Sequence, residues 1–206
     1  MTGREDLQFD AFAVDVRELL SRTVASLYSH LVTRPTGRAV RLAIENQLRD
    51  LRRPVLSLVD LSSVSVLDFS CADEVVAKLI LAVQGDPGGG TFVLFQGVRE
   101  FHREPIEAVL ERHDLRAVVQ VDAGPTRLMG PARAREGALW SRVEDEGRIA
   151  RDRIPPVLYR DSGDEEILEL LVRRRLVFRH PDRGDLHSLS ALSRELGSGP
   201  PLSPGV

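Results

Sequence analysis

The segment VLSLVDLSSVSVLDFSCADEVVAKLI, residues 55–80, changes character near its middle. Its first six residues, Val55–Asp60, form a short aliphatic run of the kind found in buried strands. After Ser70 the apolar residues recur at helical spacing, which predicts a helix over residues 70–84. A strand that leads into a helix is the repeating unit of an α/β fold.

The same alternation of strand and helix continues on both sides of this segment. Apolar spacing predicts helices over residues 16–31 and 36–51, and the second of these is capped by Thr36 and ends before Pro54. Strands are predicted over residues 91–95 and 116–121, with an amphipathic helix between them. We therefore expect a mostly parallel sheet covered by helices.

The pattern changes after DAGPTRLMGPARA, residues 122–134, whose prolines and glycines are typical of a linker. A helix is predicted around Trp140, and a stronger one begins near Asp164, with an acidic start and a basic end that suit the helix dipole. Two short strands are predicted around a turn at residues 181–184. Helices followed by a β-hairpin predict a small winged-helix-like module.

These patterns divide the chain into five regions. We predict an N-terminal helical extension (1–37), an α/β domain (38–124), a linker (125–135), the winged-helix-like module (136–196) and a disordered tail (197–206). The long apolar stripe of residues 16–31 either packs on the domain or pairs with a second copy in a homodimer.

Composition excludes several classes of protein. The 206 residues are 42% hydrophobic and carry a net charge of −3, which is too balanced to indicate nucleic acid as a partner. No apolar run approaches the length of a membrane span, the N-terminus lacks the pattern of a secretory signal, and a single cysteine excludes an intrachain disulfide. We expect a cytoplasmic protein without membrane contact.

The stretch LSLVDLSSVSVLDFSCADEVVAKL, residues 56–79, resembles the core of a STAS domain, the fold of anti-sigma-factor antagonists. It is closer to the STAS-like family of bacterial proteins, in which Ser, a small residue and Ala-Asp-Glu open a helix. The resemblance covers roughly residues 38–121. It implies a non-enzymatic regulatory protein that binds a protein partner, such as a kinase-like or sigma-related factor.

The resemblance also points to the start of the helix after residue 68. In STAS antagonists an Asp-Ser-Ser-Gly motif at this place carries the serine or threonine that the partner kinase phosphorylates. If Asp68 is aligned with the motif's aspartate, Phe69 occupies the place of the phosphorylated serine, Ser70 follows it, and the glycine is absent. Asp68, Ser70, Cys71 and Asp73 are accordingly our candidates for partner binding or phosphorylation.

Simpler interpretations compete with these roles. In the first of them, Ser70 is simply the N-cap of the helix. The acids Asp73 and Glu74 would also repel a phosphate placed on Ser70. A helix N-terminus can activate a thiol, but the acids near Cys71 would raise its pKa, so we interpret Cys71 as a buried small residue. The arginines of TRPTGRAVR, residues 33–41, hold an anion, meet the acidic surface of a partner, or are solvated around a capped helix.

The residues give no support for catalysis, and we predict no catalytic residue, metal or cofactor. The five histidines lack metal-ligand spacing, and His102 and His113 are expected on the surface. GDPGGG, residues 85–90, lacks the Lys-Ser/Thr ending of a phosphate loop and is interpreted as a turn. Carboxylates beside arginines on helix faces are interpreted as solvated pairs.

The alternative function is that of a DNA-binding transcriptional regulator. In a winged helix, the helix before the wing usually enters the major groove. The residues able to contact phosphates are Arg173, Arg174, Arg175, Arg179 and Arg183. The acids Asp164, Glu165, Glu166 and Glu169 on the same helix oppose such contact, so we expect the module to meet protein.

Overall fold

A five-stranded sheet runs through the centre of the molecule, in a computed structural model that describes residues 10–15, 30–49, 54–86 and 90–197. Its strands are, in spatial order, β1 (Asp10–Asp15), β3 (Val55–Asp60), β5 (Thr91–Val98), β6 (Ala117–Val121) and β7 (Thr126–Met129). The first four run parallel, and β7 pairs antiparallel with β6. The short strands β2 (His30–Leu31) and β4 (Val66–Leu67) form a separate parallel pair. The predicted α/β class with a mostly parallel sheet is confirmed.

Three helices cover one face of this sheet. They are α1 (Arg34–Arg49), α2 (residues 69–84) and α3 (Glu100–Arg112). The middle of α2, Asp73–Lys78, is a π-helical segment between α-helical ends at Phe69–Ala72 and Leu79–Gln84. The apolar stripe of α1, including Val40 and Ile44, is fully buried and shares a core with Val55 and Val59 of β3.

The C-terminal part of the chain covers the opposite face. Its elements are α4 (Ala134–Glu146), β8 (Arg148–Ile149), a 3-10 turn (Arg151–Arg153), α5 (Ile154–Leu158), α6 (Asp164–Arg173), β9 (Val177–Arg179), β10 (Leu186–Ser188) and α7 (Leu189–Gly197). The three strands form an antiparallel sheet in the order β8-β10-β9. The hairpin predicted around residues 181–184 is thus present.

The second core explains why strands such as β3 carry apolar residues on both faces. Leu56 and Phe92 of the central sheet share one hydrophobic cluster with Trp140, Leu171 and Phe178. The rings of Phe92 and Phe178 meet edge to face, with centroids 5.5 Å apart. In a parallel sheet that is buried on both faces, the strands are near-continuous apolar runs. Strand β3, Val55–Asp60, is of this kind.

The predicted linker is wrong over residues 126–129, which form the edge strand β7. Gly130 then turns the chain with φ of +103°, and a Cβ there would lie 2.3 Å from the Leu115 carbonyl oxygen. The prolines and glycines of this stretch therefore mark tight turns between packed elements. The C-terminal half lies against the sheet and is not separated from it by a free tether.

The N-terminal prediction also needs correction. Residues 10–15 form a strand of the central sheet, paired residue by residue with β3, so the sheet begins well before residue 38. A run of four apolar residues is compatible with helix or strand, and the pairing with β3 decides between them. Most of the helix predicted over residues 16–31, with the homodimer proposed through it, lies outside the described residues, but Leu31 belongs to strand β2.

Two further boundaries follow from the structure. Helix α1 begins at Arg34, before Thr36, because Pro35 lies in the first helical turn, where its missing N–H is not needed. Helix α7 ends at Gly197, and the tail that follows lies outside the described residues. Among the described helices, none is both long and apolar enough to cross a membrane.

Candidate functional site

Helix α2 begins at Phe69, directly after β4, and Asp68 is its N-cap. The Asp68 backbone is extended, and its Oδ1 accepts a hydrogen bond of 2.8 Å from the backbone N–H of Cys71. The prediction that Ser70 caps this helix is therefore wrong. Asp68 precedes Cys71 by three residues, which is the spacing at which an N-cap side chain reaches a backbone N–H that has no partner within the helix. Its negative charge also suits the helix N-terminus.

Ser70 lies inside the first turn and is half-buried. Its Oγ donates to the two carboxylate oxygens of Asp68, at 2.9 Å and 3.1 Å. A phosphate on Ser70 would thus be placed against a negative charge that already occupies the helix N-terminus.

Cys71 is fully buried beneath this turn. Its Sγ donates to the carbonyl oxygen of Thr33 at 2.9 Å. Burial, together with the charge of Asp68, raises the pKa of the Cys71 thiol to about 12. A thiol whose pKa is raised in this way stays protonated at neutral pH, which favours the interpretation of Cys71 as a buried small residue.

Asp73 points inward and is only 5% exposed, so it is not available to a partner, which corrects its place among the candidates. Its carboxylate contacts Arg34 Nη1 and His113 Nε2, each at 2.7 Å. Burial by itself raises the pKa of Asp73, but the hydrogen bonds from Arg34 and His113 outweigh it and hold that pKa at about 2.

The neighbouring Glu74 belongs to the same buried network. It is 2% exposed and contacts Arg34, Arg41 Nε at 3.3 Å and Lys78. Asp73 and Glu74 are thus not the solvated carboxylates that the sequence suggested, and two arginines of residues 33–41 are occupied by them. The network links α1 to the π-helical segment of α2, a rare conformation often found at functional sites.

Several exposed apolar side chains lie on the segments around the start of α2. Six large hydrophobic side chains are exposed in the described part of the chain, and four of them belong to the segments that meet here. These four, the α2-start patch, are Val32 (47% exposed), Val66 (41%), Phe69 (52%) and Phe101 (51%).

Backbone contacts bring these four segments together. The N–H of Asp68 donates to the carbonyl oxygen of Leu31 at 2.9 Å, which places Val32 beside the start of α2. Strand β4, which contains Val66, and the first turn of α2, which contains Phe69, both pack against α3, which contains Phe101. The patch is therefore built by residues of β4, α2 and α3 and by Val32, which follows β2.

His102, which we expected on the surface, is fully buried behind the patch. Its Nδ1 accepts from the backbone N–H of Arg99 at 3.1 Å, and its Nε2 lies 2.9 Å from the carbonyl oxygen of Val64. The ring thus fixes the start of α3 to the loop before β4. The sequence signal is its place in the first turn of a helix whose preceding residue, Arg99, has no side-chain acceptor to cap it.

The arginines considered for DNA contact have different partners within the protein. Arg174 donates to Glu136 Oε1 at 2.6 Å, and the Arg175 guanidinium lies over the Phe92 ring, 5.8 Å from its centroid. Both residues therefore lie where the end of α6 meets the rest of the protein.

The remaining arginines are on α6 and the hairpin. Arg179 makes two hydrogen bonds to Glu169, at 3.0 Å and 2.6 Å, and Arg183 Nε lies 3.7 Å from Asp185. Arg173 is exposed.

The acids at the start of α6 differ in their exposure. Asp164 is buried and accepts from the backbone N–H groups of Arg160 and Asp161, so it is not one of the surface acids that we expected to oppose DNA. Glu165 and Glu166 are exposed on the first turn of α6.

Within the described ranges, no group of three or more His, Cys, Asp and Glu side chains is placed to hold a metal ion. No family model matches the chain, and no match was found among curated proteins or among solved structures.

Proposed function

We propose that this chain is a non-enzymatic regulatory protein that binds a protein partner through the α2-start patch. The observation that carries the proposal is the grouping of Val32, Val66, Phe69 and Phe101 around one helix start. Scattered exposed apolar residues are ordinary, whereas a contiguous group is typical of an interaction site.

The position of the patch in the fold supports this function. Strands β3 and β5 lead from their carboxyl ends toward the starts of α2 and α3, so both helices begin at the same edge of the sheet. Binding sites of open parallel sheets are commonly found at this edge. In STAS antagonists, which residues 56–79 resemble, the partner also meets this helix start.

The chemistry of the turn favours apolar contact over a phosphorylation switch. Phe69 occupies the place of the phosphorylated serine, and the hydroxyl of Ser70 is bonded to Asp68. The partner therefore presents an apolar surface to Phe69. The STAS resemblance favours a kinase-like or sigma-related factor as that partner.

The second candidate function is DNA binding by the C-terminal half. The order helix, strand, helix, helix, strand, strand over α4–β10, with the sheet order β8-β10-β9, supports a winged-helix-like arrangement. However, Glu165, Glu166 and Glu169 are exposed on α6, and Arg179 is paired with Glu169. This charge pattern favours a protein contact for that half as well.

The test compares the full-length protein with Phe69→Glu and with Leu81→Glu as bait in native lysate. Both substitutions place a carboxylate at an exposed position of α2, and Leu81 is 42% exposed outside the patch. We expect a protein to be retained by the wild type and by Leu81→Glu, and to be lost with Phe69→Glu. Titration of that purified protein against the three baits then measures the loss directly.

Equal binding of the purified protein to Phe69→Glu and to the wild type would contradict the proposed surface. The DNA alternative is separated by nuclease treatment and by salt. Retention of duplex DNA that weakens steeply with salt, and that Phe69→Glu leaves unchanged, would favour the transcriptional regulator instead.

A further inference from the structure

His102 joins two of the segments that carry the α2-start patch. It is fully buried in the first turn of α3, and its ring meets that of Phe101 edge to face, with centroids 4.4 Å apart. Its Nε2 lies 2.9 Å from the carbonyl oxygen of Val64, two residues before Val66. One side chain thus holds the segments of Phe101 and Val66 together from behind the patch.

The two ring nitrogens of His102 have different roles, and together these roles require a neutral ring. The backbone N–H of Arg99 donates to Nδ1 at 3.1 Å, so the hydrogen of the neutral ring is on Nε2. Nε2 then donates to the carbonyl oxygen of Val64. A protonated imidazole has a hydrogen on both nitrogens and accepts no hydrogen bond. Protonation would therefore set the N–H of Nδ1 against the N–H of Arg99.

The surroundings of the ring also oppose its protonation. Burial lowers the pKa of His102 below its ordinary value, and the charge of Arg99, at the start of α3, lowers it further. The hydrogen bond to Val64 and the charge of Asp122, which follows β6, raise this pKa, but the net effect is a lowered value. If the ring enters water, its pKa returns to about 6.5. Acid therefore favours an arrangement in which the ring is released.

We infer that His102 is a pH-sensitive joint of the α2-start patch. The neutral ring holds the start of α3 to the loop before β4, and protonation releases that contact while the central sheet stays folded. The inference rests on the proposed function, because the surface that meets the protein partner is complete at neutral pH and comes apart in mild acid.

Hydrogen exchange of backbone amides in the full-length protein, followed by NMR at pH 7 and pH 5, tests this inference. The reporters are the N–H of Arg99, which donates to His102, and the N–H of Val64, which donates to the Leu61 carbonyl oxygen at 3.0 Å. After correction for intrinsic exchange rates, their protection should be lower at pH 5 by up to about 25-fold. This limit follows from a pKa of about 6.5 for the released ring.

Two variants separate this local opening from other effects of acid. His102→Asn keeps an acceptor near the place of Nδ1 but does not titrate, so its Arg99 protection should be the same at both pH values. His187→Phe removes a buried histidine of the C-terminal half and should keep the wild-type change at Arg99. An equal fall in His102→Asn and in the wild type would overturn the inference, as would wild-type protection that does not change with pH.

The ring nitrogen shifts of His102 in the wild type give a second measurement, which does not depend on the folding of His102→Asn. At pH 7 they should show the hydrogen on Nε2, and the ring should titrate below about 6.5. A hydrogen on Nδ1 at pH 7, or titration at the ordinary value, would overturn the inference. No partner is present in these measurements, so their failure is distinct from unchanged partner binding by Phe69→Glu, which would contradict the proposed function.

Discussion

Asp68 shows how one side chain can set the start of a helix that carries a site. Its carboxylate accepts from the backbone N–H of Cys71 and from the hydroxyl of Ser70. The turn that presents Phe69 to solvent is thus held by Asp68, while Ser70 adds one hydrogen bond to the cap.

Asp68→Ala should lower the free energy of unfolding by about 1 kcal/mol, because the helix loses its N-cap. Ser70→Ala should cost less, roughly 0.5 kcal/mol or below, because the cap to Cys71 remains. Urea unfolding of the two variants measures the difference. A larger loss in Ser70→Ala than in Asp68→Ala would mean that Ser70 is the cap after all.

His187 in β10 makes stability depend on pH. It is fully buried, and neither ring nitrogen has a hydrogen-bond partner within the described residues. Burial, together with the charge of Arg148, lowers the pKa of His187 to about 4. In the unfolded chain a histidine titrates near its ordinary value of about 6.5. The unfolded state therefore takes up a proton first as the pH falls.

The free energy of unfolding should consequently decrease as the pH falls from about 6.5 toward 4. At pH 5 this single group accounts for a loss of about 2 kcal/mol relative to pH 7. His187→Phe should reduce that loss, and chemical denaturation at both pH values measures it. An unchanged pH dependence in His187→Phe would show that other groups, such as buried His102, cause it.

At the scale of elements, α1 approaches α2 closely at Gly37. A Cβ on Gly37 would lie 2.9 Å from the Cα of Cys71 and 3.1 Å from the Cβ of Glu74. This short distance lets Arg34 and Arg41 of α1 reach the buried carboxylates of α2. The ionic network between α1 and α2 therefore depends on the close packing of the two helices.

Gly37→Ala should destabilise the protein by about 1–3 kcal/mol, since the helices must separate to admit the methyl group. Gly137→Ala is the control, because Gly137 is also helical and a Cβ there meets nothing within 4 Å. That variant should be stabilised by about 1 kcal/mol through helix propensity alone. Thermal or urea unfolding gives both values, and equal signs would contradict the close packing of α1 on α2.

At the scale of the whole molecule, the two halves share a hydrophobic core. Leu56, Phe92, Leu94 and Val118 of the central sheet pack in the same cluster as Trp140 of α4. A fragment that ends near residue 125 would leave these sheet residues uncovered. The halves should therefore unfold together.

Phe92→Ala should lower the stability of the whole chain by about 3–5 kcal/mol, because it leaves a cavity between the halves. Trp140, the single tryptophan, reports on the C-terminal half by fluorescence, while circular dichroism reports on all helices. Both signals should keep one common midpoint and shift together. Phe101→Ala, at an exposed phenylalanine, is the control with a small effect. Separate midpoints for the two signals would mean that the halves fold independently.

The sequence by itself determined the order of most elements. Short aliphatic runs such as Val55–Asp60 and helical stripes such as that of α1 are local patterns, and strand and helix periods differ enough to be read directly. The hairpin of β9 and β10 was also predictable, because its turn residues lie between two short apolar runs. The exposure of Phe69 was not predicted.

The tertiary structure alone decided what those elements contact. Residues 126–129 became a strand only because β6 offered an unpaired edge, and Asp73 became buried only because Arg34 and His113 lie opposite it. The arginines near residue 174 were separated in the same way, by partners distant in sequence such as Glu136. Pairing, burial and charge matching depend on residues far apart along the chain, so local sequence patterns do not contain them.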